Sequence, residues 1–314
     1  MRRLCLALAV LPMFAATLLA QQTTTTPPPQ GRGGRGQQTP EQREAAAKQA
    51  YERELASPRP IPARDSVWIE ELTKLEVRDA IKGGKTTALV IAGSTEDNGP
   101  YTSTGKHQYA IRLVGEAIAR KLGNALIAPI VPIEAGNPDN KYLSWGTFFF
   151  TPATYQAVLR DIATSLKSHG FTHIVLLGDS GGNTTGLRAV AEELSAKWGN
   201  ETRIFHVPEY YNWTGQNSVR TFVNSTLGVT ENPSADGVHD EYGLTAVMML
   251  SDPRIVRYDE RVKAGKATIN GISLEPKDKT IEMGRKIVEF RANAAVEAIR
   301  RAIGALPAAA RRGN

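Results

Sequence analysis

The chain has 314 residues, of which 41% are hydrophobic and 22% charged, and a formal net charge of +6. Its one cysteine, Cys5, lies in an N-terminal segment read below as a cleaved leader, which excludes cysteine nucleophiles, Cys-ligated zinc and disulfides from the mature protein. Arg2, Arg3, Arg32, Arg35, Arg311 and Arg312 place much of the basic character in the two ends, so the charge is not the footprint of a nucleic-acid partner.

A basic start, an apolar stretch and a small residue at Ala20 identify residues 1–20 as a secretory signal peptide, which makes the mature protein secreted or periplasmic. No later segment is long and apolar enough to span a bilayer. Residues 21–65 read as a low-complexity linker rich in Thr, Pro, Gln, Gly and Arg, with a short surface helix in EQREAAAKQAYEREL. Residues 66–305 have the size of one domain, and 306–314 form a basic tail.

Within the domain, apolar runs at 86–93, 124–133, 172–179 and 202–211 predict strands. Amphipathic segments at 109–122, 152–169, 185–198 and 279–303 predict helices, and a further apolar helix follows ADGVHDEYG. Strands that are nearly continuous in apolar residues and alternate with helices specify an α/β fold. The expected form is a three-layer α/β/α sandwich around a mostly parallel sheet.

Ligands gather at the carboxyl ends of such strands, and the loops there hold the polar irregularities of this chain. After the first strand, Glu96 precedes the turn Asn98-Gly99-Pro100-Tyr101, and His107 stands at the entrance of the next helix. A carboxylate and an imidazole on one crossing suit a metal site, an acid–base pair or a hydrogen-bonded structural corner. After the third strand, Gly178-Asp179-Ser180-Gly181-Gly182-Asn183 matches a nucleophile elbow, in which Ser180 would be exposed above the sheet. The same segment also reads as a Gly-rich turn capping a helix. Asp236 and His239 are the candidate downstream acid and histidine, in the order such a serine would need, and they lie awkwardly close together.

Taken together, GSTEDNGPYTSTGKH, IVPIEAGNP with YLSWGT, HGFTHIVLLGDSGGN and DGVHDEYGLTAVMML resemble the creatininase family of metal-dependent amidohydrolases, in order and at the family's spacing. Even the opening VWIEELTKLEVRDAI is similar to that family's start. The resemblance covers nearly the whole domain. It implies a creatininase-like fold, a small-molecule amide substrate and a homo-oligomer.

The family's metal ligands carry over only in part. Glu96 stands on the first family glutamate and His239 on the histidine of its HAG segment. Asn98 replaces a histidine, His107 an aspartate, Ser180 a histidine and Leu244 a glutamate. If ligands were exchanged, Glu96, His107, Asp179 and His239 would hold Zn or Mn, which would activate a water to attack an amide or cyclic-amide C–N bond. Asp240 or Glu241 would then pass the proton to the leaving nitrogen. If the metal was lost, the fold serves as a binding module, and a serine hydrolase using Ser180 is the remaining reading. The resemblance puts Asn98, Tyr101, Trp145, Gly181, Gly182, Asn183 and Tyr211 around the substrate.

Overall fold

The structure, a computed structural model, describes residues 39–231, 236–237 and 239–304. The signal peptide, the Thr/Pro/Gly-rich part of the linker and the basic tail lie outside the described residues. The described residues divide into two units, one ending at Ala56 and the other beginning at Ser57.

In the first unit, helix α1 (Pro40–Ala56) has no buried residue. It is the helix expected in the charged segment, formed from residues of high helix propensity rather than by burial. The second unit takes in residues 57–65 as well as the expected domain. Arg59 pairs with Asp79, and the Arg64 amide donates to Glu76 Oε1 at 2.6 Å. Glu76 also closes a capping box with Thr73 at the start of α2 (Lys74–Lys82), and these backbone donors hold its carboxyl down at about 2.

Beyond α2 come β1 (Thr87–Ala92), α3 (Lys106–Leu122), β2 (Ala125–Ile127), β3 (Glu134–Ala135), β4 (Phe149–Phe150), α4 (Pro152–Ser168) and β5 (His173–Gly178). They are followed by α5 (Asn183–Trp198), β6 (Arg203–His206), α6 (Val219–Thr226), α7 (Tyr242–Ser251), α8 (Tyr258–Lys263), β7 (Thr268–Ile269), β8 (Ile272–Ser273) and α9 (Lys277–Gly304). The main sheet runs β2-β1-β5-β6, with every pairing parallel.

Its two faces are both covered, which is why β1 is apolar without a break. Leu89 and Ile91 face a core built with Ile111, Val114 and Ile118 of α3 and with α7 and α9. Ala88, Val90 and Ala92 face Tyr155 and Leu159 of α4 and Leu187 and Val190 of α5. This is the expected three-layer α/β/α arrangement. From β1 the chain crosses to β2 on one side and returns to β5 on the other, so a crevice opens between the carboxyl ends of β1 and β5. Among the described residues, no helix is long and apolar enough to cross a membrane.

Three boundaries differ from the sequence expectation. The second strand is three residues long rather than spanning 124–133, because Pro129 and Pro132 lack the N–H that a ladder needs. Only Val131 rejoins the sheet, as a single bridge to Ala92. Helix α3 begins at Lys106, three residues earlier than expected, so His107 lies inside its first turn. The fourth strand stops at His206, before Pro208. The parallel pair of β3 and β4, invisible to periodicity at two residues each, holds Glu134 at the edge of the crevice.

Helices α7 and α9 cross closely at Gly284, where an added Cβ would collide with the carbonyl of Ala246. Backbone cannot swing aside as a flexible side chain can. Gly284→Ala is therefore expected to lower stability by roughly 1–3 kcal/mol despite its better helix propensity, measured by urea denaturation.

Candidate active site

The crevice floor is a chain of charges contributed by four elements. β1 delivers the loop bearing Glu96 and Asn98, α3 supplies Lys106 and His107 in its first turn, β5 ends directly before Asp179, and α9 contributes Arg291. His107 bridges two carboxylates, with Nε2 at 2.9 Å from Glu96 Oε1 and Nδ1 at 2.8 Å from Asp179 Oδ2. An imidazole that donates from both nitrogens is an imidazolium. The other Asp179 oxygen accepts from Arg291, a buried guanidinium flanked by the rings of Tyr210 and Trp213 at 5.1 and 5.0 Å. Lys106, only 2% exposed, donates to Glu96 Oε1 at 2.8 Å and to Asn98 Oδ1.

These contacts set the protonation states. Burial alone would raise the carboxyls of Glu96 and Asp179, but the bonds and charges of His107, Lys106 and Arg291 hold both below the usual carboxylate range. Burial alone would lower His107, and its bonds to Asp179 and Glu96 raise it instead. Burial pulls Lys106 below the usual lysine value despite its carboxylate partner.

Above the floor is a cavity of about 160 Å³, lined by Glu96, Lys106, His107, Ser180, Tyr211, Trp213, Thr214, His239, Glu241 and Leu244. Ser180 Oγ donates to Glu134 Oε2 at 2.6 Å. The Glu134 carboxylate lies across Gly182, where any Cβ would strike it, so only glycine fits beneath. Burial raises the Glu134 carboxyl above its usual value.

The other expected site residues divide by location. His239 borders the cavity in a left-handed conformation (φ 60°), with Nδ1 3.2 Å from the Asp97 carbonyl and 3.5 Å from Glu96 Oε1. Glu241 lines the cavity while paired to Arg220 at 2.6 Å. Asp240 is buried beside Gly99 and its carboxyl is raised by burial; its oxygens have no geometric hydrogen-bond partner among the described residues. Tyr211 forms part of the wall, and Gly181 packs against its ring.

Three of the residues expected around the substrate are engaged elsewhere, and a fourth faces solvent. Asn98 ties its own loop together, donating to the carbonyls of Glu96 and Ser103 at 3.0 Å each. Asn183 is fully buried, donating to the carbonyls of Ala92 and Gly93 and accepting from Tyr155 Oη at 2.7 Å. The ring of Tyr101 is covered by the Arg261 guanidinium at 4.3 Å, and Trp145 is 96% exposed and outside the cavity lining.

The creatininase family model, described as creatinine amidohydrolase, matches residues 70–299. The chain belongs to the creatininase family. Solved structures agree in fold. A creatininase variant of Zn-Zn type superposes with a TM-score of 0.57 at 18% identity, covering 76% of this chain and 99% of that one. A manganese creatininase gives 0.57 at 19% identity with the same coverage. A protein described as a creatinine amidohydrolase from Bacteroides fragilis gives 0.51 at 20% identity, covering 76% and 96%. No curated protein sequence matches the chain.

Two of those structures are described as zinc and manganese forms, so the donors here are weighed against such an ion. Among the described residues, no group of three or more His, Cys, Asp or Glu is arranged to take one. The reason is visible in the contacts. Both nitrogens of His107 face carboxylates, one oxygen each of Glu96 and Asp179 is shared with a lysine or arginine, and the Asn98 oxygen accepts from Lys106. A divalent ion placed near 4 Å from an ammonium meets a repulsion on the order of 8 kcal/mol at an effective dielectric of 20. The set Glu96, His107, Asp179 and His239 is thus brought to one place, as the resemblance implies, but as an internally neutralised network and not as an open ligand cage.

Lys106, Glu134 and Arg291 were not among the residues expected at the site. Two of them left a trace in the sequence. Glu134 follows an apolar run, as Glu96 does, and Arg291 falls four residues after Ile287 on the buried stripe of α9.

Proposed function

We propose that this creatininase-family protein hydrolyses a C–N bond in a small amide or cyclic amide, using its own side chains as acid, base and nucleophile. The observation that carries this reading is the 2.6 Å bond from Ser180 Oγ to Glu134 Oε2 at the wall of the cavity. A carboxylate whose affinity for protons is raised by burial is a suitable base for a hydroxyl.

In this scheme Ser180 Oγ bonds to the carbonyl carbon as its proton passes to Glu134. The C–N bond then breaks, and Glu134 returns the proton to the leaving nitrogen. Water attacks the resulting ester and gives its proton to Glu134, which restores the Ser180 hydroxyl as the acid departs. Lys106 lines the same cavity with two of its three N–H donors committed to Glu96 and Asn98, leaving one for the carbonyl oxygen. Tyr211 and Trp213 provide apolar walls suited to a flat ligand.

The test is a panel of small linear amides, lactams and cyclic ureides, creatinine included, followed by amine and carboxylate release, together with labelling of the folded protein by a fluorophosphonate. Turnover with label on Ser180 supports the proposal, whereas turnover without label removes the serine step. A second reading, ligand binding without catalysis, is favoured by the charge-paired network beneath the cavity, in which Glu96 and Asp179 are each held by cationic partners. It predicts saturable binding in calorimetry with neither product nor label.

A further inference from the structure

Two of the creatininase structures of the same fold are described as zinc and manganese forms, while in this chain the crossing of β1 and α3 holds a buried ammonium. We propose that Lys106 is the resident cation of this pocket, neutralising the Glu96 side of the acidic floor so that no divalent ion is needed there. The inference concerns charge balance and stands whether or not the pocket turns over a substrate.

Three observations converge. Lys106 is 2% exposed, and an ammonium so far from water persists only with close anionic or polar acceptors. Its two acceptors, Glu96 Oε1 and Asn98 Oδ1, come from one loop, so a single side chain satisfies that loop as a shared ion would. The remaining carboxylate of the floor, Asp179, is neutralised separately by His107 and Arg291. Asp240, buried nearby with its oxygens lacking a geometric partner, adds to the field that holds the ammonium.

The exchange is also consistent chemically. An asparagine has no imidazole lone pair to offer a metal, but its amide oxygen is a good acceptor for an ammonium. Asn98 and Lys106 therefore work as a pair, and neither would serve a metal site well alone. His107, with both nitrogens facing carboxylates, offers no free lone pair to a metal from this floor.

The experiment uses the full folded protein, purified without chelator, with manganese(II) chloride as the probe. Metal content is measured by elemental analysis, binding by the loss of the free manganese signal in electron paramagnetic resonance, and Tm with and without added manganese or EDTA. Wild type is expected to contain no more than about a tenth of an equivalent of zinc or manganese, and to show no change in Tm on either addition. Lys106→Met, which frees Glu96 and Asn98 from the ammonium, is expected to bind manganese at least about tenfold more tightly than wild type. Near-stoichiometric metal in wild type, or a rise of several degrees in its Tm with manganese, overturns the proposal, as does equal affinity in the variant. If Lys106→Met fails to fold, the wild-type metal content and Tm decide the matter alone.

Discussion

Arg291→Met is expected to destabilise the protein by about 3–5 kcal/mol, because it removes the guanidinium that neutralises a carboxylate with no access to water. Asp179 and Arg291 are both essentially inaccessible, so the energy of each depends on the other. Pairing them costs both their hydration, and the net worth of the pair is small compared with the penalty for leaving one behind. The double variant Asp179→Asn/Arg291→Met should therefore recover part of the loss, which urea denaturation of the full cycle would reveal as a large coupling energy. Equal and additive losses would show that the two side chains act only by filling space.

The same network gives stability a pH window. Glu96 and Asp179 are held below their usual range, so their contribution is present above the unfolded carboxylate value of about 4 and is lost as pH falls through their folded values. His107 is raised, so its contribution is complete below about 6.5 and is lost as pH rises through its folded value. Glu134 and Asp240 are raised carboxyls, and they also favour the unfolded chain as pH climbs above about 4. The cluster therefore stabilises most just above about 4, and its contribution declines as pH climbs from there, first through Glu134 and Asp240 and then through His107.

Glu134→Gln is expected to lower kcat/KM by about 10²- to 10⁴-fold on whichever amide the wild type cleaves, since glutamine preserves the shape beneath Ser180 but cannot take its proton. Ser180→Ala should fall at least as far, and the double variant should be little worse than either single one, because the two act as a unit. The Tm of both variants is expected to stay near wild type, which separates loss of chemistry from loss of fold. Activity of the wild type should rise with pH through the elevated Glu134 pKa as the base ionises. Additive effects of the two substitutions would place Ser180 and Glu134 in separate roles.

The layered fold was legible because burial on both faces writes itself into consecutive residues. Ala88 through Ala92 are all inaccessible, and a strand with one face in water would have alternated polar with apolar side chains over that length. The limits of β2 were less legible, since Ile127 and Val131 look alike in a hydropathy profile and only the intervening prolines distinguish ladder from bridge. Glu96, His107 and Asp179 stood out as polar residues at strand ends and helix entrances. What could not be read was their pairing, because Arg291 lies 112 positions from Asp179 and nothing local marks the two as partners.

By itself, then, the amino-acid sequence determined the family, the parallel sheet and the rim on which the site is built. Each of these follows from local periodicity and from motifs whose order along the chain is enough. Tertiary structure alone decided what occupies that rim. Charges interact through space, and only the packing of α3 and α9 against the ends of β1 and β5 brings Lys106 to Glu96 and Arg291 to Asp179. The low dielectric of that junction makes such pairings decisive for whether the acidic floor needs an ion from outside.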